Sequence, residues 1–368
     1  MSRSGSSVWS ASNRMARLLR AGLVGCGAIA CGNDAEWIRS GDRTKFPLTH
    51  AGAYRQDPNI TLVAAADVDR IRLEQFGRDW GVTGLYTDYR DMLRKETLDI
   101  VSVCAPPDLH GHIVREASRQ GLPAVFCEKP LAADPEEARA VLQDCDRSRT
   151  VLAVNYFRRW NATLEAWADR LASGELGRIR RANAYYTKGI RHNGTHAVDL
   201  LLWLVGKIES VQVLRVCQEG DDDIGVDALC LTESGVPCYL QACRQEDFNV
   251  LEIDLLTDRG RIRVTENGRR IEHYAVKQDP HYRQYAILNS EPDVALTAWQ
   301  DCLSRAIEDV TRCLATGAKP KCSGREAYEA LRVAAAIQTS AREGGRTVNL
   351  RHGDLPGPAV AALKESRR

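Results

Sequence analysis

The chain has 368 residues, with 50 Lys and Arg against 49 Asp and Glu, for a formal net charge of +1. This length suits two domains of about 100 to 200 residues each. The near-zero charge excludes the large positive field that would hold a nucleic acid or an anionic membrane surface. The 44% hydrophobic content is typical of a folded globular protein.

Membrane spans and disulfides are not expected. The longest apolar run, residues 22–32, is about half of the roughly 20 residues that a transmembrane helix needs. Twelve cysteines are scattered without a Cys-x-x-Cys pair, a pattern that indicates free thiols in a reducing cytoplasm. Residues 1–18 contain Ser and Arg without Asp or Glu. We interpret them as a disordered extension, with a transit peptide as the alternative.

Residues 19–148 alternate between strand-like and helical patterns. Helices are predicted over Arg70 to Phe76, His110 to Gln120 and Pro135 to Arg147. Apolar runs that predict strands covered on both faces are Ala21 to Val24, Thr61 to Ala66, Ile100 to Cys104 and Ala124 to Cys127. This alternation predicts an α/β domain with a doubly wound parallel sheet.

The first predicted strand runs into a G-x-G-x-x-A turn at residues 25–30. Such a turn lets the backbone approach a pyrophosphate at the start of a helix. It therefore predicts a dinucleotide site, with contacts from Gly25, Gly27, Ala28 and Ile29.

The acidic residue expected at the end of the second strand is Asp67, 40 positions after Gly27 rather than the usual spacing of about 20. We interpret the surplus, residues 31–48, as an inserted loop. An Asp at this position binds a ribose diol and repels a 2′-phosphate by up to about 4 kcal/mol at contact. NAD is therefore favoured, while nearby Arg70 and Arg72 leave NADP as an alternative. Capping of the following helix is the structural alternative for Asp67.

From residue 149 to 350 the pattern predicts an α+β domain. Helices are predicted over residues 161–172, 195–204, 296–315 and 324–342, with about six strands between the second and third. Short hairpin signals such as Ser234-Gly235 favour a mostly antiparallel sheet with helices on one face. Alternation of Val211, Val213 and Arg215 indicates an apolar strip on the uncovered face, and hence a homodimer or homotetramer. Residues 351–368 are interpreted as a tail.

One motif makes the sequence resemble a known family. Residues 128–130 read Glu-Lys-Pro, the signature of the Gfo/Idh/MocA oxidoreductases. Two further segments are similar to that family: Ala105-Pro106-Pro107-Asp108-Leu109-His110, like its turn after the fourth strand, and Gly194-Thr195-His196-Ala197-Val198-Asp199, like its G-x-H-x-x-D segment. The resemblance spans residues 19 to 350. It implies a Rossmann domain, an open antiparallel-sheet domain and NAD(P)-dependent redox chemistry on sugars or polyols.

The resemblance also implies roles for individual residues. It places Pro106, His110, Glu128 and Lys129 at the cofactor, and Lys129 with His196 at the substrate hydroxyl. Residue chemistry agrees, because oxidation of a secondary alcohol needs a base for the proton and a cation for the developing alkoxide.

One position departs from the family pattern. Two residues before Gly194 the family usually has Asp, sometimes Asn, and this chain has His192. His192 is therefore a third candidate, as proton relay or substrate contact, and the identity of the base stays open.

Further basic residues are assigned to the substrate side. Arg159 matches a basic position of the family and is predicted to line the site, with a structural salt bridge as the alternative. Lys188 adds a cation that suits a phosphorylated, carboxylated or nucleotide-linked sugar, although a solvated loop explains it equally well.

The spacing His192-x3-His196 followed by Asp199 would suit a metal if it were helical. Asn193-Gly194 is a turn signal. We therefore expect a helix that begins near Thr195 and no metal site.

The leading hypothesis is a dehydrogenase or reductase that acts on a sugar or cyclitol. One rival is an enzyme that uses NAD transiently for elimination or glycoside cleavage, with no net redox change. A second rival is a non-catalytic dinucleotide sensor. Stoichiometric accumulation of NADH with product would distinguish the dehydrogenase or reductase from both rivals.

Overall fold

A computed structural model describes residues 18–35, 47–218, 223–299 and 301–350. Within them the chain forms two compact units. The first comprises the described part of Met1–Glu128 together with Val141–Asn155 and Leu303–Ser323, and the second comprises the rest. Residues 1–17 of the predicted extension, the predicted tail 351–368 and residues 36–46 of the predicted insertion lie outside the described residues.

The first unit contains a six-stranded sheet in which every neighbouring pair is parallel, in the order β3-β2-β1-β4-β5-β6. Its strands are β1 (Leu19–Val24), β2 (Ile60–Ala66), β3 (Gly84–Tyr86), β4 (Ile100–Val103), β5 (Ala124–Cys127) and β6 (Val151–Val154). Its helices are α1 (His50–Gln56), α2 (Arg70–Trp80), α3 (Tyr89–Lys95), α4 (His110–Arg119), α5 (Pro135–Ser148), which belongs to this unit from Val141 onward, and α8 (Cys302–Thr316), which belongs to it from Leu303 onward. This is the predicted doubly wound fold.

Sequence patterns missed four elements of this unit: α1, β3, α3 and β6. The strand β3 has three residues, and the helices α1 and α3 have seven each, too short to give a clear hydrophobic period. The strand β6 pairs in parallel with β5, so the sheet extends beyond the expected domain boundary at residue 148. Val154 N–H also donates to the Cys322 carbonyl at 3.0 Å. The return of residues 303–323 to this unit was not predicted, because it depends on a contact between distant parts of the chain.

The second unit contains a ten-stranded, mostly antiparallel sheet. Among the described strands of this second sheet, only β7 and β10 pair in parallel. The elements of this unit are α6 (Ala162–Ala172), β7 (Ile179–Tyr186), α7 (Thr195–Leu204), β8 (Ile208–Gln218), β9 (Gly225–Thr232), β10 (Pro237–Ala242), β11 (Leu251–Thr257), β12 (Gly260–Thr265), β13 (Arg270–Gln278), β14 (Ala286–Leu288), β15 (Asp293–Leu296), α9 (Gly324–Arg342) and β16 (Val348–Asn349). The predicted mostly antiparallel class is confirmed.

The apolar strip expected on the uncovered face of this sheet does not include the residues named for it. Val211 and Val213 are buried in β8, the strand that packs against α9, and the Val213 N–H donates to the Ser340 hydroxyl of that helix at 2.9 Å. The register of β8 shifts between Val213 and Arg215, which breaks the two-residue alternation. The prediction that Val211 and Val213 face away from the helices is therefore wrong.

Candidate functional site

The turn after β1 has the shape that a pyrophosphate site requires. Gly25 has φ of +88°, and a Cβ built there would lie 2.6 Å from the Cys104 carbonyl oxygen. Only glycine fits this close approach in the left-handed region. A Cβ at Gly27 would meet nothing within 4 Å, so the backbone there has open space beside it. These two glycines fit a dinucleotide.

The insertion interrupts the first helix rather than following it. Cys31 and Gly32 N–H both donate to the Gly27 carbonyl at 3.1 Å, as in a first helical turn. The carbonyls of Ile29 and Ala30 then accept from His50 at 3.2 Å and Ala51 at 2.9 Å.

In an unbroken helix the Ile29 carbonyl would accept from the N–H of residue 33. Here it accepts from the N–H of His50, which is seventeen residues further along the chain. Without those seventeen residues the spacing from Gly27 to Asp67 is 23, near the usual value of about 20.

A buried carboxylate closes the base of the insertion. Asp34 accepts hydrogen bonds from the Leu48 N–H at 2.9 Å and the Thr49 hydroxyl at 2.5 Å. Thr49 in turn caps α1 through the Gly52 N–H. The two ends of the segment are thereby held together where the helix resumes.

Asp67 follows β2 as predicted, and its carboxylate already has protein partners. It accepts from the Cys26 N–H at 2.7 Å and the Asp69 N–H at 2.8 Å. The Arg72 guanidinium lies 3.4 Å away. Asp67 therefore ties the glycine turn to the start of α2. The side chain that caps α2 is Asp69, which accepts from the N–H groups of Ile71 and Arg72, so the interpretation of Asp67 as the helix cap is wrong.

The turn after β4 contains Pro106 and the first residue of α4, His110. The His110 ring is buried, and its Nε2 lies 2.8 Å from the Ala105 carbonyl oxygen. This bond fixes the turn from inside the unit.

Glu128 follows β5 and lies in a buried polar cluster that sequence analysis missed. Its Oε1 is 2.9 Å from His50 Nε2 and accepts from Asn155 Nδ2 at 2.6 Å. His50 Nδ1 is 2.8 Å from the Ser102 hydroxyl, which lies 2.7 Å from the Tyr54 hydroxyl. The only signal in the sequence was a histidine and a tyrosine four residues apart on one helical face.

Lys129, the next residue in the chain, belongs to the second unit. Its Nζ donates to the backbone carbonyl of His192 at 3.4 Å. His192 lies in the π-helical turn Ile190–Gly194, and α7 begins directly after it at Thr195, where it was predicted. Gly194 has helical backbone angles, so Asn193-Gly194 does not interrupt the helical path as expected. The structure therefore brings Lys129 next to the segment that carries both candidate histidines.

Asp223 holds the amino end of this turn. Its carboxylate accepts the N–H groups of Arg191 at 2.9 Å and His192 at 3.1 Å. It also occupies the space that a Cβ of Gly189 would need. The preceding Lys188 is exposed and has φ of +63°, a left-handed conformation that costs energy for any residue with a Cβ.

Both histidines are poised to be neutral. Burial, and after it the charge of Lys129, lowers the pKa of His196 well below its usual value. Burial, Lys129 and Lys188 lower the pKa of His192 to about 4. The buried ring of His196 meets the edges of Tyr156 and Phe157, with centroids 5.4 Å and 5.8 Å away. At neutral pH each imidazole is therefore uncharged and has one unprotonated ring nitrogen.

The two adjacent arginines have different environments. Arg159 forms a buried ion pair with Asp199, with Nη2 2.9 Å from Oδ1, so the structural alternative accounts for its position. Arg158 is 7% exposed and lies over the rings of Phe157 at 4.6 Å and Trp299 at 4.9 Å. Its Nη2 donates to the Asn267 carbonyl at 3.2 Å, and burial lowers the pKa of its guanidinium to about 10.

No group of three or more His, Cys, Asp or Glu side chains in the described part of the chain is arranged to hold a metal ion. None of its helices is both long enough and apolar enough to span a bilayer.

Comparison with known proteins matches the chain in two consecutive parts. Residues 19–156 match the oxidoreductase family with an NAD-binding Rossmann fold, and residues 190–350 match its C-terminal alpha/beta domain. The chain is 26% identical to a D-apiose dehydrogenase of Paraburkholderia graminis over 96% of each protein. It is 23% identical to an inositol 2-dehydrogenase of Rhizobium meliloti over 80% of this chain and 93% of that protein.

Solved structures have the same fold. Levoglucosan dehydrogenase in complex with NADH and levoglucosan superposes with a TM-score of 0.73 at 18% identity, over 91% of this chain and 100% of that one. The WlbA dehydrogenase from Bordetella pertussis, in complex with NADH and UDP-GlcNAcA, gives 0.71 at 24% identity, over 91% and 99%. The first unit is thus an NAD-binding Rossmann domain, and the chain belongs to the Gfo/Idh/MocA oxidoreductase family.

Proposed function

We propose that this protein is an NAD(P)-dependent dehydrogenase or reductase acting on a secondary hydroxyl or keto group of a sugar, sugar derivative or cyclitol. The observation that carries the proposal is the contact of the Lys129 ammonium with the segment of His192 and His196. Family membership, and the names of relatives that act on apiose and inositol, support the same chemistry.

The proposed roles follow from charge and protonation. NAD held by the first unit would supply the acceptor for the hydride of the alcohol carbon. Removal of the hydroxyl proton needs a base, and the lowered pKa values of His196 and His192 leave both imidazoles neutral at pH 7, each with one unprotonated ring nitrogen. The Lys129 cation stabilises the negative charge that develops on the oxygen. We assign the proton transfer to His196 and His192 and the oxygen contact to Lys129.

We propose that the first unit binds the cofactor through the glycine turn, the end of β2, the turn after β4 and the end of β5. The residues are Gly25, Gly27, Ala28, Ile29, Asp67, Pro106, His110 and Glu128. We propose NAD ahead of NADP because the Asp67 carboxylate lies at the end of β2. Lys188 is proposed as a further substrate contact, and it favours sugars that carry a carboxylate, phosphate or nucleotide. Arg159 is proposed to act on the substrate side only through Asp199 and α7.

The experiment is turnover of a panel of inositols, free sugars, sugar acids and nucleotide sugars with NAD or NADP, followed by the absorbance of the reduced cofactor. For the best substrate, Lys129→Ala and His196→Gln should each lose at least about 100-fold in kcat and in kcat/KM. Both variants should still bind NAD, because neither residue is expected to hold the pyrophosphate. His273→Gln, a histidine of the same unit that contacts Trp167, is the matched control and should keep full activity.

Two outcomes would favour the rival functions. Product formation without stoichiometric NADH would indicate elimination or glycoside cleavage with transient redox. Tight NAD binding with no turnover of any panel member would indicate a sensor.

We also propose a homodimer or homotetramer in the cytoplasm. The face of the ten-stranded sheet away from α7 and α9 includes the exposed side chains of Leu231 and Leu256, and all twelve cysteines are free thiols. A monomer in light scattering at micromolar concentration would contradict the proposed oligomer. Recovery of the protein outside the cytoplasmic fraction would contradict the proposed location.

A further inference from the structure

The buried cluster around Glu128 contains a continuous chain of hydrogen bonds. It runs from Tyr54 through Ser102 and His50 to Glu128. Tyr54, Ser102 and His50 are each 0% exposed. The four groups come from α1, β4 and the end of β5 in the first unit, so only the folded unit brings them together.

The direction of the bonds follows from the carboxylate end. Glu128 Oε1 also accepts from Asn155 Nδ2 at 2.6 Å, which is consistent with an ionised oxygen that only accepts. His50 Nε2–H is then the donor to Glu128, and a neutral ring leaves Nδ1 to accept from the Ser102 hydroxyl. Ser102 in turn accepts from the Tyr54 hydroxyl. Every group in the chain has a partner in this arrangement.

This series of hydrogen bonds does not serve as a proton path to solvent. Its far end, Tyr54, is fully buried, and burial raises the pKa of its hydroxyl. A proton that entered at Glu128 would have no exit there. What the chain can do is hold the imidazole, since both ring nitrogens are bonded and the ring lies 4.7 Å from that of Phe126.

We propose that His50 is a positioning residue for the cofactor, fixing the Glu128 carboxylate while Ser102 and Tyr54 hold its ring. This inference rests on the proposed contact of Glu128 with NAD. It also gives a function to His50 as the residue at which the interrupted helix resumes, where its N–H donates to the Ile29 carbonyl.

Two substitutions separate the two sides of the ring. The amide nitrogen of His50→Gln lies near the position of Nε2 and can still donate to Glu128. That of His50→Asn lies near Nδ1 and faces Ser102 instead. Both variants lose a buried hydrogen bond and should melt at lower temperature. The Kd for NAD, measured by calorimetry, should rise about tenfold or more in His50→Asn and much less in His50→Gln, given the strength of hydrogen bonds to charged groups.

A double-mutant cycle tests the route of the effect. In a Glu128→Gln background, His50→Asn should cause no further rise in the Kd for NAD. Thr150→Val is the matched control. Thr150 is buried, and its hydroxyl donates to the Leu122 carbonyl at 2.8 Å. This bond lies at the amino-terminal ends of β5 and β6, whereas Glu128 follows the carboxyl-terminal end of β5. Thr150→Val should lower the melting temperature and leave the Kd unchanged.

Equal NAD affinity in the two His50 variants, or additive effects with Glu128→Gln, would overturn the proposal. If neither variant folds, nitrogen-15 NMR of histidine-labelled wild-type protein replaces them. NAD should then shift the His50 ring signals, and unchanged signals would reject the idea. The NAD affinity is measured by calorimetry without a sugar substrate. If the wild-type protein binds NAD but oxidises no substrate, the proposed function is refuted and the proposal for His50 can still be tested.

Discussion

Arg159 and Asp199 form a two-pronged buried ion pair in the second unit. Arg159 Nε lies 2.9 Å and 3.1 Å from the two carboxylate oxygens of Asp199, and the guanidinium lies 5.4 Å from the centre of the Trp203 ring. Burial raises the pKa of Asp199, and Arg159 opposes that rise. Asp199 is three residues after His196 in α7, so the pair anchors the face of the helix that carries the histidine.

Removing one member of this pair should be costly. Arg159→Met leaves Asp199 buried without its partner and should lower the free energy of unfolding by about 3–5 kcal/mol. The double variant Arg159→Met with Asp199→Leu should recover most of that loss. Denaturant unfolding measures both. If the double variant is stable and active, Arg159 has no direct substrate role; if it is stable but has a raised KM, the substrate contact predicted from sequence is supported.

The role of the His192 side chain can be read from kinetics. Its backbone carbonyl accepts from Lys129, so replacing the side chain leaves that contact in place. If the imidazole relays the proton, His192→Ala should lower kcat and kcat/KM together by about 100-fold or more, and His192→Asp should restore part of the activity. If it only contacts substrate, KM should rise with kcat little changed.

Arg191→Ala is the control for this series, because Arg191 is exposed in the same turn and its N–H also binds Asp223. Kinetics of His192→Ala that match those of wild type would exclude His192 from the site.

Cofactor preference depends on the charge of Asp67. Asp67→Asn keeps an oxygen for the Cys26 N–H and removes repulsion of a 2′-phosphate, which reaches about 4 kcal/mol at contact. The ratio of NADP to NAD affinity in calorimetry should rise at least about tenfold. Asp69→Asn, which changes the cap of α2, should alter the ratio far less. Wild-type protein that binds NADP as well as NAD would refute the assignment.

The lowered pKa values of the histidines predict a pH dependence of stability. Unfolded histidine binds a proton below about pH 6.5, whereas folded His196 and His192 stay neutral, His192 down to about pH 4. The free energy of unfolding should therefore fall as pH drops from about 6.5 toward 4. The raised pKa of Asp199 acts in the opposite sense, so the test is a comparison. His196→Gln should show a shallower fall than wild type in denaturant unfolding at each pH.

Lys188 should trade stability for function. Its φ of +63° costs a residue with a Cβ roughly 1–2 kcal/mol. Lys188→Gly should therefore raise the melting temperature, while Lys188→Ala should not. If the ammonium binds an acidic sugar, both variants should raise KM for that substrate and leave neutral substrates unaffected. A lower melting temperature for Lys188→Gly would show that the side chain stabilises the loop.

Local sequence determined the class of each unit and most of its elements. Apolar runs of four to seven residues between helical patterns define the parallel sheet, because both faces of such strands are covered. The glycine turn at residues 25–30 and the helix start at Thr195 follow from backbone preferences of single residues, which act without distant partners. The Glu128-Lys129-Pro130 motif located the candidate site through its resemblance to a family.

Tertiary structure decided which side chains meet. Helical hydrogen bonds pass from Ile29 to His50 across the insertion, and the Glu128 carboxylate lies against a histidine 78 residues earlier in the chain. Arg159 binds Asp199, 40 residues later in the chain. In each case a buried polar group takes the partner that packing supplies. Neither periodicity nor turn chemistry specifies that partner, because both describe only neighbours along the chain.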